Sequence, residues 1–204
     1  MPNPPKPPRA RCERCLRPLS HCLCAHIPAL PNRTRVLILQ HPDEAKHPLN
    51  TARLARQGLR RAELWIGEHF PGLHDAITSV EQALLLFPAR PESPRAPRTA
   101  HSRRGAWLLI VPDGTWRKAR KIVQANPVLT TLPHLSLPPG EPSEYRVRQT
   151  SEPGAVSTIE AIARALTMLE PQQDFQPLLK PFRVLVEQQI HAMGNEVYRS
   201  HYLR

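Results

Sequence analysis

Ala106-Trp107-Leu108-Leu109-Ile110-Val111-Pro112-Asp113-Gly114-Thr115-Trp116 is the stretch that decides how this chain is read. The apolar run from Ala106 to Val111 has the length of a strand and no polar alternation, which predicts a strand buried on both faces. Proline then ends the run, and a helix is expected from about Thr115 to Gln124. In open α/β sheets, ligands sit beyond the C-terminal ends of the strands, and Asp113 falls at such an end. Gly114 permits a close approach there, Thr115 can cap the helix, and Trp116 offers an aromatic plate. A carboxylate, a hydroxyl and an indole at one strand end make a candidate ligand pocket. The bland alternative is that Asp113 only caps the helix and Trp116 belongs to the core.

Outward from this junction the pattern repeats. Arg35 to Gln40 (RVLILQ), Glu63 to Gly67 (ELWIG) and Ala83 to Phe87 (ALLLF) read as strands. Between the first two, a helix is expected from Thr51 to Arg61 with Asn50 as its cap; Arg53, Arg56 and Arg60 form a basic stripe along it. The segment His41 to Asn50 reads as a loop. Past the junction, Pro133 to Leu137 is expected to be a short strand and Tyr145 to Gln149 a short extended piece. Ser157-Thr158-Ile159-Glu160 has the capping-box pattern S-x-x-E and opens a helix to about Leu169. A last helix is expected from Pro177 to Met193, closed by Gly194. Strands alternating with helices predict an α/β fold, a mainly parallel sheet with flanking helices. Neither a G-x-G-x-x-G nor a Walker lysine motif occurs, which disfavours dinucleotide oxidoreductases and P-loop enzymes.

All four cysteines, Cys12, Cys15, Cys22 and Cys24, fall near the N-terminus in the pattern C-x2-C-x6-C-x-C. A C-x2-C turn points two thiolates at one centre, and the second pair closes a tetrahedron. The reading is a structural zinc that staples a segment too small to fold alone. Disulfides, an iron–sulfur cluster, or His21 or His26 in place of one thiolate are the other readings. The expected organisation is a flexible tail over residues 1–10, a zinc-binding segment over 11–30, and a catalytic domain over 31–204. A second proline-rich stretch runs from Pro88 to Gly105.

Lys and Arg number 28 against 17 Asp and Glu, a formal net charge of +11. Such a surplus favours a polyanionic partner. No apolar stretch is long enough to span a bilayer, and the N-terminus MPNPPKPPRA lacks the apolar core of a signal peptide. The expected location is cytoplasmic, with no membrane association.

Asp113-Gly114-Thr115-Trp116 resembles the D-x-T-W signature of the DTW-domain family, and other blocks agree. The cysteines sit at the family's N-terminal place. Gln40-His41-Pro42 to Pro48-Leu49-Asn50-Thr51-Ala52-Arg53-Leu54 is similar to its H-P…N-T-x-x-L segment. Ser143-Glu144-Tyr145-Arg146-Val147-Arg148 and Ser157-Thr158-Ile159-Glu160-Ala161 resemble its S-x-Y-x-x-R and S-T-x-E-A segments. The resemblance covers about residues 12 to 193.

That resemblance implies a tRNA-uridine aminocarboxypropyltransferase of the bacterial type, related to the knotted SPOUT methyltransferases. Such an enzyme moves the 3-amino-3-carboxypropyl group of S-adenosylmethionine to N3 of a uridine, position 47 in bacterial members, and releases 5′-methylthioadenosine. Asp113 is then the candidate catalytic residue, as general base or as partner of the donor's ammonium group. Asn50, Thr51, Thr115, Trp116, Ser157 and Thr158 are candidates for binding S-adenosylmethionine. Arg53, Arg56, Lys118, Lys121, Arg146 and Arg148 are candidates for gripping tRNA phosphates. Two rival functions stay open: an RNA methyltransferase using the same donor, and a non-enzymatic zinc-ribbon RNA-binding protein. The oligomeric state is left open by the sequence.

Overall fold

The computed structural model describes residues 10–89, 107–147 and 154–202. The tail, residues 90–105 of the proline-rich stretch, and Arg148 lie outside the described residues, Ala10 apart. Strands β1 (Arg35–Gln40), β2 (Ala62–Ile66), β3 (Gln82–Leu86), β4 (Trp107–Asp113) and β5 (His134–Leu135) form a sheet in the order β2-β1-β4-β3-β5. Every pairing in it is parallel, as the continuous apolar runs predict. The described helices are α1 (Pro42–Ala45), α2 (Thr51–Gly58), α3 (Leu73–Thr78), α4 (Trp116–Ala125), α5 (Thr158–Leu169), α6 (Lys180–Met193) and α7 (Asn195–Tyr202).

Helices cover both faces. The two-residue alternation of a strand sends Val36, Ile38, Leu109 and Val111 into one core, against α2, α5 and α6. Leu37, Leu39, Leu108 and Ile110 enter the other, against α3 and α4. Gln40 and Asp113 are register partners at the C-terminal ends of β1 and β4. Both are in phase with the α2–α5 face. Strand β3 pairs with β4 only as far as Ile110, so Pro112 lies where pairing to β3 has ended. Beyond that point the two chains are free to part.

Several expected boundaries move, each for a physical reason. Helix α2 ends at Gly58, because Leu30 N–H bonds the Gly58 carbonyl (2.9 Å) and Arg60 N–H bonds Leu30 (3.0 Å), which draws the chain out straight. A Cβ at Gly58 would lie 2.6 Å from the Leu178 Cδ1 methyl, so a larger residue there requires Leu178 to move. The final helix does not begin at Pro177. A 3-10 turn, Gln176–Leu179, comes first, and α6 starts at Lys180 with Pro181 in its first turn, where proline costs no hydrogen bond. Helices α1, α3 and α7 were not expected. The first two are short, and α3 buries only Leu73 and Ala76. In α7 Tyr198 and Tyr202 stack at 5.7 Å, an i, i+4 pair that holds the helix to the core. Arg146 and Val147 form a turn where an extended piece was expected, and Arg148 and Gln149 lie outside the described residues. No described helix is long and apolar enough to cross a membrane.

Candidate functional site

The candidate site grows out of the β1–β4 register. Because Gln40 and Asp113 are neighbours across the ladder, Gln40 Nε2 donates to Asp113 Oδ2 at 2.7 Å. The side-chain amides of Gln40 and Asn50 exchange two further bonds, of 3.1 and 3.2 Å. Asn50 also accepts from Arg53 N–H (3.0 Å), so it caps α2 as its sequence position predicts. On the other side the Thr158 hydroxyl donates to Asp113 Oδ1. One chain of buried and half-buried polar groups thus joins β1, α2, β4 and α5, and Asp113, 7% exposed, is its centre.

A second carboxylate organises the rest. Glu160 is 2% exposed, and sequence reasoning gave it only a capping role. It does close the capping box with Ser157, through bonds of 2.8 Å from the backbone and 2.6 Å from the hydroxyl. It also accepts from the Ser143 hydroxyl and from Glu144 N–H, both at 2.7 Å, and so anchors the distant Ser143–Tyr145 block. Tyr145 completes the enclosure: its hydroxyl donates to the Leu49 carbonyl at 2.8 Å and its ring packs edge-on against Phe182.

These blocks enclose a cavity of about 700 Å³. It is lined by Glu44, Asn50, Thr51, Asp113, Thr115, Trp116, Ser157 and Thr158 among others, so the expected donor-binding residues meet in one place. Helices α2, α4 and α5 all begin on it, capped by Asn50, Thr115 and Ser157. Helix N-termini favour negative charge. Two buried carboxylates, Asp113 and Glu44, face the same space, Glu44 with Lys118 as its ion-pair partner. An apolar cavity of about 400 Å³ adjoins it, lined by Leu86, Phe87, Val111, Leu135, Leu137 and Val156, where β3 and β4 have parted. Trp116 lines both cavities and stacks edge-on to Phe87 at 5.9 Å, so it is a wall rather than core. Gly114 is required by proximity: a Cβ there would lie 2.9 Å from Lys118 Cβ.

The basic residues divide. Lys118 binds Glu44 (3.0 Å) and Asp43 (3.2 Å). Burial pulls the Lys118 ammonium down, but its two carboxylate partners outweigh this and raise it overall. Asp43 is lowered in turn, first by its hydrogen bond to Lys118. Lys121 pairs with Glu68 (2.7 Å) and is the main cause of that carboxyl's lowered position; His41 Nε2 meets the same group at 2.8 Å. Arg146 pairs with Glu187 on the surface. Arg53 is half-buried, donates to the Ala45 carbonyl (2.8 Å), and is lowered by burial. Arg56 remains exposed. Arg117 and Arg120 line the larger cavity and were not singled out from sequence. Their neighbours Lys118 and Lys121 carry the same charge, and only the helix's orientation tells them apart.

At the N-terminus the four cysteine sulfurs all lie within 4.8 Å of one another. Cys12 and Cys24 are 3.5 Å apart, Cys15 and Cys22 3.8 Å. Zinc–thiolate bonds of about 2.3 Å in a tetrahedron require sulfurs about 3.8 Å apart, so the set fits a metal of that kind. Backbone amides of Cys15 and Arg14 pull the Cys12 thiol down to about 6, whereas burial pushes Cys24 up to about 12. All four are free cysteines. The turn is completed by Leu16 N–H bonding Cys12 O (2.8 Å), with Leu16 at φ +58°.

The chain is similar to proteins named tRNA-uridine aminocarboxypropyltransferase. It is 33% identical to tRNA-uridine aminocarboxypropyltransferase 2 of Drosophila melanogaster over 192 residues, which is 89% of this chain and 76% of that one. It is 30% identical to tRNA-uridine aminocarboxypropyltransferase A of Arabidopsis thaliana over 194 residues, 80% and 74% of the two chains. Against tRNA-uridine aminocarboxypropyltransferase 2 of Mus musculus the identity is 29% over 215 residues, 96% and 69%. No solved structure matches. The DTW domain matches residues 9–190, a span that takes in the cysteine knuckle, the Asp113 network and the Ser143 and Ser157 blocks, and the chain therefore belongs to the DTW domain family.

Proposed function

We propose that this chain transfers the 3-amino-3-carboxypropyl group of S-adenosylmethionine to N3 of a tRNA uridine, uridine 47 of the variable loop, in the cytoplasm. One observation carries the reading: three helix N-termini and two buried carboxylates meet in a single cavity beside an apolar one. Such a cavity offers both signs of charge to a zwitterionic amino-acid head, and the apolar neighbour offers a place for an adenine ring. The names of the relatives point to the same chemistry. A SPOUT-like knotted fold is part of this reading. It is supported by the all-parallel sheet and by the Gly154–Ser157 segment, which returns from beyond β5 to lie against the end of β4.

The donor's sulfonium activates three carbons, and position decides which is attacked. The chain's residues set that position. The caps of α2, α4 and α5 hold the carboxylate, and Asp113 holds the ammonium. Trp116 and Val156 divide the amino-acid end from the adenine end. Attack by N3 on the chain's γ-carbon breaks its bond to sulfur, whose electron pair stays on the departing 5′-methylthioadenosine; the N3 proton passes to solvent. Arg117 at the cavity and the exposed Arg56 on α2 are the phosphate grips in this reading. Lys118, Lys121 and Arg146 carry their charge into ion pairs instead.

Incubating the protein with tRNA and S-adenosylmethionine should release 5′-methylthioadenosine and leave one modified uridine. Release of adenosylhomocysteine would establish the methyltransferase reading instead, and absence of turnover the binding-protein reading. Affinity for tRNA should fall steeply with salt; a flat response would remove phosphates as the handle.

Cys12, Cys15, Cys22 and Cys24 hold a structural zinc in the same proposal. With four thiolates the ion has no open position, and its contribution is to the fold of the knuckle. Elemental analysis should return about one zinc per chain, and Cys12→Ser should lower both metal content and melting temperature. Metal-free protein of unchanged melting temperature would reject it.

A further inference from the structure

The cysteine knuckle is not a detached appendage. Leu23, inside it, is fully buried in the larger core. Arg17 is placed by the knuckle's own turn, since its carbonyl accepts from Cys12 N–H at 2.8 Å. From there its guanidinium spreads three ways. Nε donates to the His21 carbonyl (3.0 Å), next to Cys22; Nη1 to the Pro48 carbonyl (3.0 Å); Nη2 to Gln188 Oε1 in α6 (3.4 Å). A return strut exists as well: Gln57, in α2, donates to the Arg14 carbonyl between the first two cysteines.

Pro48 is followed by the residues that form the cavity wall. Leu49 carries the carbonyl that Tyr145 grips, and Asn50 caps α2 and binds Gln40, the partner of Asp113. Leu49, Asn50 and Thr51 all line the larger cavity. A planar guanidinium can hold three carbonyl-type acceptors in fixed directions; an ammonium on a flexible stem cannot. We propose that Arg17 is a positioning residue that couples the metal knuckle to the Pro48–Thr51 wall, so that knuckle geometry sets affinity for the donor. This rests on the functional reading above in naming the donor and in placing zinc in the knuckle.

The test uses the full zinc-containing chain and its Arg17→Lys and Arg17→Ala variants. Three quantities are measured: zinc content, binding of S-adenosylmethionine by calorimetry, and amide exchange across residues 47–51. The expected result is unchanged zinc, donor binding weakened about tenfold in Arg17→Ala, and exchange at Leu49 to Thr51 faster by a similar factor. Turnover at saturating donor should stay within about threefold, because the wall binds and does not react. Arg17→Lys, which keeps the charge, should resemble Arg17→Ala rather than the parent, a result that simple charge loss does not give. Donor affinity within twofold of the parent would overturn the coupling. So would weakened binding that appears only together with zinc loss. A parent protein that binds the donor but transfers its methyl group would overturn the aminocarboxypropyl reading and leave this coupling intact.

Discussion

Asp113→Asn is expected to weaken S-adenosylmethionine binding by at least about 100-fold and to lower kcat/KM for the donor by at least as much. The substitution isolates charge from shape. Asp113 accepts from Gln40 on one oxygen and from Thr158 on the other. An asparagine oxygen can still accept from Gln40, and its amide can donate to the Thr158 hydroxyl, which is able to accept when it rotates. Both bonds can therefore be kept in the variant, and what disappears is a buried negative charge in the cavity wall. Removing it leaves the donor's ammonium without its partner. Melting temperature should change little, and this separates the effect from unfolding. The general-base role gives a different pattern: donor affinity near normal, a collapsed rate, and partial recovery at high pH as N3 ionises unaided. Normal affinity together with normal rate would reduce Asp113 to a structural link between β4 and α5.

Glu160→Gln should lower stability by about 2–4 kcal/mol, or roughly a 10 °C fall in melting temperature for a chain of this size. Four donors converge on this carboxylate: Ser143 Oγ, Glu144 N, Ser157 N and Ser157 Oγ. A carboxylate is acceptor-only and suits all four. A glutamine must turn its NH2 towards at least one of them, and two buried donors then face each other. Turned towards Oε1 it confronts Glu144 N–H; turned the other way it confronts three donors. The cheaper orientation breaks the Glu144 N–H bond and leaves Ser143 alone tying the Ser143–Tyr145 block to α5, so donor binding should weaken along with stability. A loss below about 1 kcal/mol would mean that the block is held by Tyr145 and Leu49 alone.

The sequence by itself determined the class of fold, the strand that leads to the site, and the caps. Continuous apolar runs at Arg35–Gln40 and Ala106–Val111 leave no exposed face, and that forces a parallel sheet covered on both sides. Asn50, Thr115 and Ser157 are capping residues whose preference is local, so their roles could be read without neighbours, and the structure shows each one capping. The cysteine spacing fixed a four-sulfur cluster for the same reason: a turn and a short loop bring the thiols together whatever the rest of the chain does.

Only the tertiary structure decided which groups share a site and which charges are already satisfied. Gln40 gave no signal of its own; strand register with Asp113 made it part of the site. Glu160 read as a cap, and its hold on Ser143 and Glu144 depends on a fold-back that no local pattern encodes. The basic residues divide on the same principle. Lys118 and Arg117 are adjacent in sequence, but the turn of α4 places Lys118 against Glu44 and Asp43 and Arg117 on the cavity. Arg17 reaches Pro48, 31 residues away in sequence, only because the fold brings the two together. Propensity and capping act over a few residues, whereas charge pairing and buried hydrogen bonds act through space, so the first are written in the sequence and the second appear only when the chain is folded.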